Sequence, residues 1–435
     1  MQRRNFIKSG TIAVGGALLA PLPLFGAEEK IKIAILGTGW WGTDFLLPNL
    51  LSSGQFEVIG LCDVNSVSLK KAATKVKEAG GKEPGLFSSY HQMFEMPGLQ
   101  AVVIATPTHW HALQFIAACK KGLHVFLEKP ISYDIREGQA MTEAHRKAKN
   151  VVQVDFPRVM VDTNEQVRAF LKSGEAGRIL QVQANIHNPE GQVVERPVPS
   201  TLNFDAFCGP APRTKFLCNE NSDVPNWRAQ HAFSRGVMAD WGIHYIHNIR
   251  KVLNLGLPDN VSAVGGTVRV HSHDNPDQLD VRFDYAGLPV YWTHRSWGFT
   301  SPNPDNNIGV FYFGEKATVF AGDLGWEVYP AAMGAKKTHG NIRFEPGNPE
   351  HIPLYTKMMV DLFKEFADGI RKRSNEGITN KLEDAERTTA TVIYGDMAYR
   401  TKSNLAINTS TMDITNNKEA QALLKRSYRA PYVHP

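Results

Sequence analysis

The sequence is poor in cysteine, has no long hydrophobic run beyond its first residues, and carries little net charge. Four cysteines in 435 residues exclude a disulfide scaffold. After residue 27 no segment reaches the ~18 uninterrupted apolar residues of a spanning helix, so the body is expected to lack a stable membrane anchor. The formal charge is +5, and Arg3, Arg4 and Lys8 supply three of those charges. The remainder is close to neutral and is a poor match to nucleic acid. Low complexity is absent too, and 42% hydrophobic against 21% charged residues is enough for a sizeable core. The length, with no internal repeat, suits two or three domains.

Residues 1–27 read as an address. A basic start is followed by an apolar stretch from about Thr11 to Leu24, broken by Gly and Pro. The run Arg3-Arg4-Asn5-Phe6-Ile7-Lys8 resembles a twin-arginine export signal. The resemblance implies an exported, periplasmic protein that crosses the membrane already folded. Cleavage is expected near Ala27, although Phe25 is a poor residue for that position.

From residue 30 to 155 apolar runs of strand length alternate with helical stretches. The runs are Ile31–Leu36, Phe56–Cys62, Leu99–Ala105, His124–Leu127 and Val151–Asp155. Runs without polar alternation are strands covered on both faces, as in a parallel sheet with helical crossovers. The expectation is a doubly wound Rossmann domain. Its first strand leads directly into Gly37-Thr-Gly39-Trp40-Trp41-Gly42. At that place Gly37 and Gly39 permit a tight turn against a pyrophosphate, Gly42 permits close helix packing, and helix amides face the phosphates. Asp63 closes the second strand, where a carboxylate takes an adenosine ribose hydroxyl and repels a 2′-phosphate. That favours NAD, with NADP less suited.

Residues 156–414 read differently. A short helix to Ser173 and a strand Ile179–Ile186 precede Pro- and Asn-rich loops over 188–225. Strand-like runs then follow at Val261–His271, Leu279–Tyr285, Val290–Trp297, Ile308–Phe313 and Thr318–Ala321, with hairpin turns such as Ala286-Gly287. The expectation is an α+β, substrate-binding domain with a large, mainly antiparallel sheet. Met358–Ile370 and Glu383–Lys402 are helical and are expected to return to the first domain. Residues 415–435 form a tail of no clear pattern.

Within this half, residues 236–253 read as one helix. Met238, Trp241, Tyr245, Ile249 and Val252 form an apolar stripe, and Asp240 and His244 share another face. A carboxylate one turn before an imidazole can orient it as a general base. A surface ion pair or a satisfied core histidine would give the same spacing.

The stretch Ala105-Thr106-Pro107-Thr-His109-Trp-His111, followed by Gly122-Leu-His-Val-Phe-Leu-Glu128-Lys129-Pro130, resembles the Gfo/Idh/MocA oxidoreductases. These are named for glucose–fructose oxidoreductase, inositol dehydrogenase and a rhizopine-catabolism protein. Similarity continues through Phe204–Pro212 and Asp240–His244 to about residue 406. The resemblance implies cofactor contacts from Trp40, Trp41, Thr106, Pro107, His111, Glu128 and Lys129. It also implies Lys129, Asp240 and His244 as the catalytic set. An ammonium at the carboxyl edge of the sheet would stabilise a developing alkoxide, while an ion pair with a carboxylate is the plainer role for Lys129.

At His247 many relatives carry an aspartate, so a proton carrier is added there. Arg158, Trp227, Arg228 and His247 are candidates for touching a sugar. No metal is expected, since His109-x-His111 and His271-x-His273 have no cysteine or acidic partner at ligand spacing. Cys62 and Cys119 read as core, while Cys208 and Cys218 stand open between a disulfide and buried thiols.

The resulting expectation is an exported oxidoreductase that moves hydride between tightly bound NAD and a hydroxyl of a sugar, glycoside or polyol. The same residues serve a glycoside hydrolase that oxidises C3 transiently, eliminates the aglycone, adds water and reduces again. A non-catalytic NAD- or carbohydrate-binding protein is the third reading. Members of the family are often dimers or tetramers, which implies a homo-oligomer.

Overall fold

A computed structural model describes residues 29–435 except 161, 188–190, 270–273, 299–307, 323–324 and 334–351. The export-signal residues and His271 and His273 lie outside the described residues. The apolar runs of the first half become β1 (Ile31–Leu36), β2 (Phe56–Cys62), β3 (Gly85–Phe87), β4 (Ala101–Ile104), β5 (His124–Leu127) and β6 (Val152–Val154). They form one parallel sheet in the order β3-β2-β1-β4-β5-β6. The order reverses between β1 and β4, and there the carboxyl ends of the strands open a crevice.

The helix that follows the glycine loop opens as a π turn, Trp41–Leu46, before α1 (Leu47–Ser52). The other crossovers are α2 (Ser66–Glu78), α3 (Tyr90–Met93), α4 (His111–Lys120) and α5 (Ile135–Ala148). Asn65 caps α2 by accepting from the amides of Val67 and Ser68. Asp134 and Glu137 form a capping box at the start of α5. Such caps stabilise a helix by about 1 kcal/mol each.

The second half begins with α6 (Asp162–Ser173), β7 (Ile179–His187), β8 (Val193–Glu195), α7 (Phe204–Cys208), β9 (Leu217–Asn219) and α8 (Ile243–Leu253). Then come β10 (Asn260–Gly266), β11 (Gln278–Tyr285), β12 (Leu288–Arg295), β13 (Ile308–Gly314), β14 (Ala317–Ala321) and β15 (Trp326–Pro330). Last are α9 (Ile352–Lys372), α10 (Leu382–Thr401), β16 (Leu405–Asn408), β17 (Asp413–Ile414) and α11 (Lys418–Ala422). Nine of these strands make one sheet, β15-β14-β13-β7-β12-β11-β10-β16-β17. It is antiparallel except at β7–β12. β8 and β9 form a separate ribbon.

Both returning helices reach the first domain. Phe363 and Phe366 of α9 pack on Phe126 and Phe56, and with Met359 and Leu362 they seal one face of the parallel sheet. α10 is buried along most of its length between α5, α8 and β10. Its apolar faces point several ways because it is surrounded, so it has no single stripe. All four cysteines are buried free thiols, Cys208 and Cys218 included. Among the described residues no helix is long and apolar enough to cross a membrane.

Candidate active site

The glycine loop is shaped by its neighbours' backbone. Gly37 has φ +96°, and a Cβ on it would stand 2.6 Å from the Ala105 carbonyl carbon. One on Gly42 would stand 2.1 Å from the Gly37 oxygen. Before Gly39, in contrast, nothing lies within 4 Å of where a Cβ would be. The loop is therefore tight behind and open in front, and it fits a pyrophosphate approaching the amides there. Asp63 locks this shape: Oδ2 accepts from the Thr38 amide at 2.6 Å and Oδ1 from the Asn65 amide at 2.8 Å. Trp40 is exposed at the mouth, while Trp41 stacks on Phe45 and donates to Glu128 Oε1.

Across the switch point stand the loops after β4, β5 and β6. His111 joins two of them, its ring nitrogens lying 2.8 Å from the Pro130 oxygen and 2.7 Å from the Thr106 oxygen. The His109 ring lies 2.8 Å from the Phe207 oxygen. Backbone oxygens thus occupy ring nitrogens of both histidines. Pro107 turns the chain beside them, and the Thr106 hydroxyl donates to Gln114 at 2.6 Å. Glu128 also accepts from the Lys129 amide at 3.1 Å. Asp155, at the end of β6, is buried; that burial and the adjoining Glu128 carboxylate hold its carboxyl well above the usual range. Sequence reasoning missed this acid: the one signal was its place at the carboxyl end of an apolar strand.

Lys129 projects from the end of β5 to the second domain. Its Nζ donates to the Asp240 main-chain oxygen at 2.7 Å and to Oδ1 at 2.9 Å. Arg228, lying 4.3 Å over the Trp227 ring, donates from Nε to Asp240 Oδ2 at 2.6 Å. Burial would raise the Asp240 carboxyl, but the Arg228 and Lys129 charges outweigh it and hold it far below the usual carboxylate range.

The expected orientation of His244 by Asp240 is corrected here. Both carboxylate oxygens serve cations, because charged donors bind a carboxylate more strongly than a neutral imidazole does. His244 stands edge-on to Phe156, and its Nδ1 is buried without a hydrogen-bond partner. Burial, then the charges of Lys129 and Arg158, push its pKa well down. Arg158 is buried over the rings of Trp241 and Tyr245, at 5.4 and 5.6 Å.

His247 is also corrected. It is fully buried, stacked on Phe156 at 4.0 Å, with Nδ1 2.8 Å from Thr388 Oγ1 and Nε2 3.4 Å from Asn380 Oδ1. Burial takes its pKa down to about 3. It is a core histidine joining α8 to α10, with no face left for a sugar or for proton transfer.

A doubly wound domain with an open glycine loop, joined to an α+β domain that meets its crevice, defines a two-domain, dinucleotide-binding α/β protein. Residues 31–156 match the Gfo/Idh/MocA model, described as an oxidoreductase family with an NAD-binding Rossmann fold. Over these residues the chain is similar to the NAD-binding domain of that family.

Among curated proteins, the chain is 32% identical over 134 residues to a glycosyl hydrolase family 109 protein of Stenotrophomonas maltophilia (strain K279a), covering 29% of each chain. It is 29% identical over 152 residues to scyllo-inositol 2-dehydrogenase (NAD(+)) of Bacillus subtilis (strain 168), covering 35% of this chain and 43% of that one. The chain therefore spans less than half the length of these relatives. The fold extends further. A levoglucosan dehydrogenase, solved with NADH and levoglucosan, superposes with a TM-score of 0.64 at 16% identity, covering 87% of this chain and 99% of that one.

Proposed function

We propose that this protein is an exported NAD-dependent oxidoreductase acting on a hydroxyl of a sugar, glycoside or polyol. The observation that carries the reading is the meeting of Lys129, from the NAD-binding domain, with Asp240 and His244 of the second domain at the strand ends. NAD, when bound, supplies the hydride acceptor. Lys129 holds the reacting oxygen and neutralises charge as it develops. Burial and nearby cations lower the His244 pKa and so favour its neutral imidazole, the form that can accept the hydroxyl proton. Asp240 positions Lys129 rather than His244. The adenosine ribose falls to Asp63, whose carboxylate disfavours a 2′-phosphate.

The likeness to a glycosyl hydrolase family 109 protein supports a second reading. In it the same residues serve a redox-neutral hydrolysis, with the substrate oxidised at C3, the aglycone eliminated, water added and the ketone reduced. Free NAD is expected to be scarce outside the cytoplasm, so both readings call for a cofactor loaded before export and kept. The start Arg3-Arg4-Asn5-Phe6 supports that route. The test is an assay of purified protein without added NAD, using aryl glycosides and then free sugars with ketose acceptors. Aglycone release without an acceptor supports the hydrolase, and turnover only with an acceptor supports the oxidoreductase. No turnover in either arm, even with millimolar NAD, would overturn both.

A further inference from the structure

The segment between the ribbon strands β8 and β9 leaves the second domain and attaches to the first at two places. One is the loop after β2, next to Asp63. There the Ser66 amide donates to the Thr201 oxygen at 2.9 Å, the Asn203 amide donates to the Val64 oxygen at 2.9 Å, and Asn65 bridges to Leu202. The other is the loop after β4. There Trp110 Nε1 donates to the Phe207 oxygen at 2.9 Å, the same oxygen that meets the His109 ring. Gly209, at φ +51°, lies so close on Trp110 that a Cβ would stand 2.1 Å from the indole.

In the sheet β2 and β4 are the two neighbours of β1, whose end carries the glycine loop. A segment tied to the loops after β2 and β4 must pass over the end of β1. Thr201–Gly209 therefore lies across the crevice on its adenosine side. Leu202, Phe204, Phe207 and Cys208 are buried in a small apolar cluster of their own, so the crossing piece is a packed body rather than a loose loop.

The end of the chain holds this piece down. Arg429 donates from its amide to the Pro210 oxygen at 2.8 Å, from Nε to the Gly209 oxygen at 3.0 Å and from Nη2 to the Asp205 oxygen at 2.9 Å. Its Nη1 pairs with Asp205 Oδ1 at 2.6 Å. The tail is itself fixed to the first domain. Arg426 binds Glu137 Oε1 and the His109 oxygen at 2.9 and 2.7 Å, and His434 Nε2 lies 2.9 Å from Asp134 Oδ2. The capping box of α5 is thus also the anchor of the C-terminus.

We propose that Thr201–Gly209, pinned by Arg429, is a strap that retains NAD, so that release of the dinucleotide requires this segment to lift. The proposal rests on residues 31–156 being the NAD site, and it supplies a physical means for the retention argued above. A held strap slows dissociation without adding contacts at the reacting carbon.

The test uses the full-length protein loaded with NAD, and follows exchange of the bound cofactor for labelled NAD after rapid desalting. Wild type is expected to exchange over many minutes. Arg429→Ala removes the three side-chain contacts to the strap and is expected to exchange roughly tenfold faster or more. Asp205→Ala, at the exposed rim, removes only the ion pair and should accelerate exchange less; it stands in if Arg429→Ala fails to fold. Melting temperatures of the loaded proteins check that each variant is folded. Fast exchange in wild type, or unchanged exchange in the folded variants, overturns the strap while leaving the NAD site intact. Wild type that binds no NAD overturns the site and the strap together.

Discussion

Lys129 and Asp240 are 111 residues apart, yet the ammonium takes both the main-chain oxygen and a carboxylate oxygen of the aspartate, at 2.7 and 2.9 Å. The pair links the end of β5 to the π-helical stretch Met238–Gly242 that runs into α8, and so ties that helix to the carboxyl edge of the parallel sheet. Arg228 closes the other side of the same carboxylate. Asp240→Asn should leave two cations facing a neutral amide. Turnover is expected to fall by roughly two to three decades, with a lower melting temperature, because partners of a removed charge lose their compensation. Steady-state kinetics beside thermal melts check this; a variant with wild-type turnover would make the pair merely structural.

His244→Ala should leave folding and NAD binding in place and lower turnover by roughly two to four decades. A change within a factor of a few would place His244 among the structural residues.

The pH profile follows from the sign of the His244 shift. A base must be neutral to act, and burial with Lys129 and Arg158 lowers this pKa. The acid limb of kcat/KM is therefore expected below the ordinary imidazole value of about 6.5. Arg158→Gln removes one cation and should move that limb to higher pH. A limb that stays put in the variant would show that another group controls it.

Asp63→Ala should weaken NAD and narrow its advantage over NADP, since the carboxylate shapes the loop through Thr38 and, in the proposed function, meets the ribose. Titration of the cofactor-free variant with each dinucleotide measures it. An unchanged NAD to NADP ratio would place the ribose contact elsewhere.

Acid should destabilise the protein early. Burial lowers both His109 and His247 to about 3. Below about pH 6.5 the unfolded chain takes up protons that these native imidazoles refuse, until pH falls to their folded values. Each therefore costs about 1.4 kcal/mol per pH unit across that window. His247→Asn, which can keep a donor toward Thr388, should flatten the slope in denaturant titrations between pH 6 and 4. An equally steep slope in the variant would assign the acid loss to other groups.

The parallel sheet was legible because strands buried on both faces appear as apolar runs, and the glycine loop because its backbone approaches leave no room for a Cβ. Helices α8, α9 and α10 were legible from their periodicity or length, and the motifs singled out Lys129, Asp240 and His244 as candidates. The three-residue strands β3, β8 and β9 were not, since so short a piece carries no pattern apart from its partner. The tertiary structure alone decided that Asp240 serves Lys129 and Arg228 instead of His244, since competition among donors depends on which cations arrive from distant parts of the chain. Burial likewise turned His247 into a core residue and pushed the Asp155 carboxyl upward, because desolvation belongs to the packed surroundings. The role of the tail came last, from contacts of Arg426 and Arg429 with residues more than 200 positions away. The sequence determined local backbone shape and the supply of reactive groups; the fold decided which of them meet, and in what dielectric.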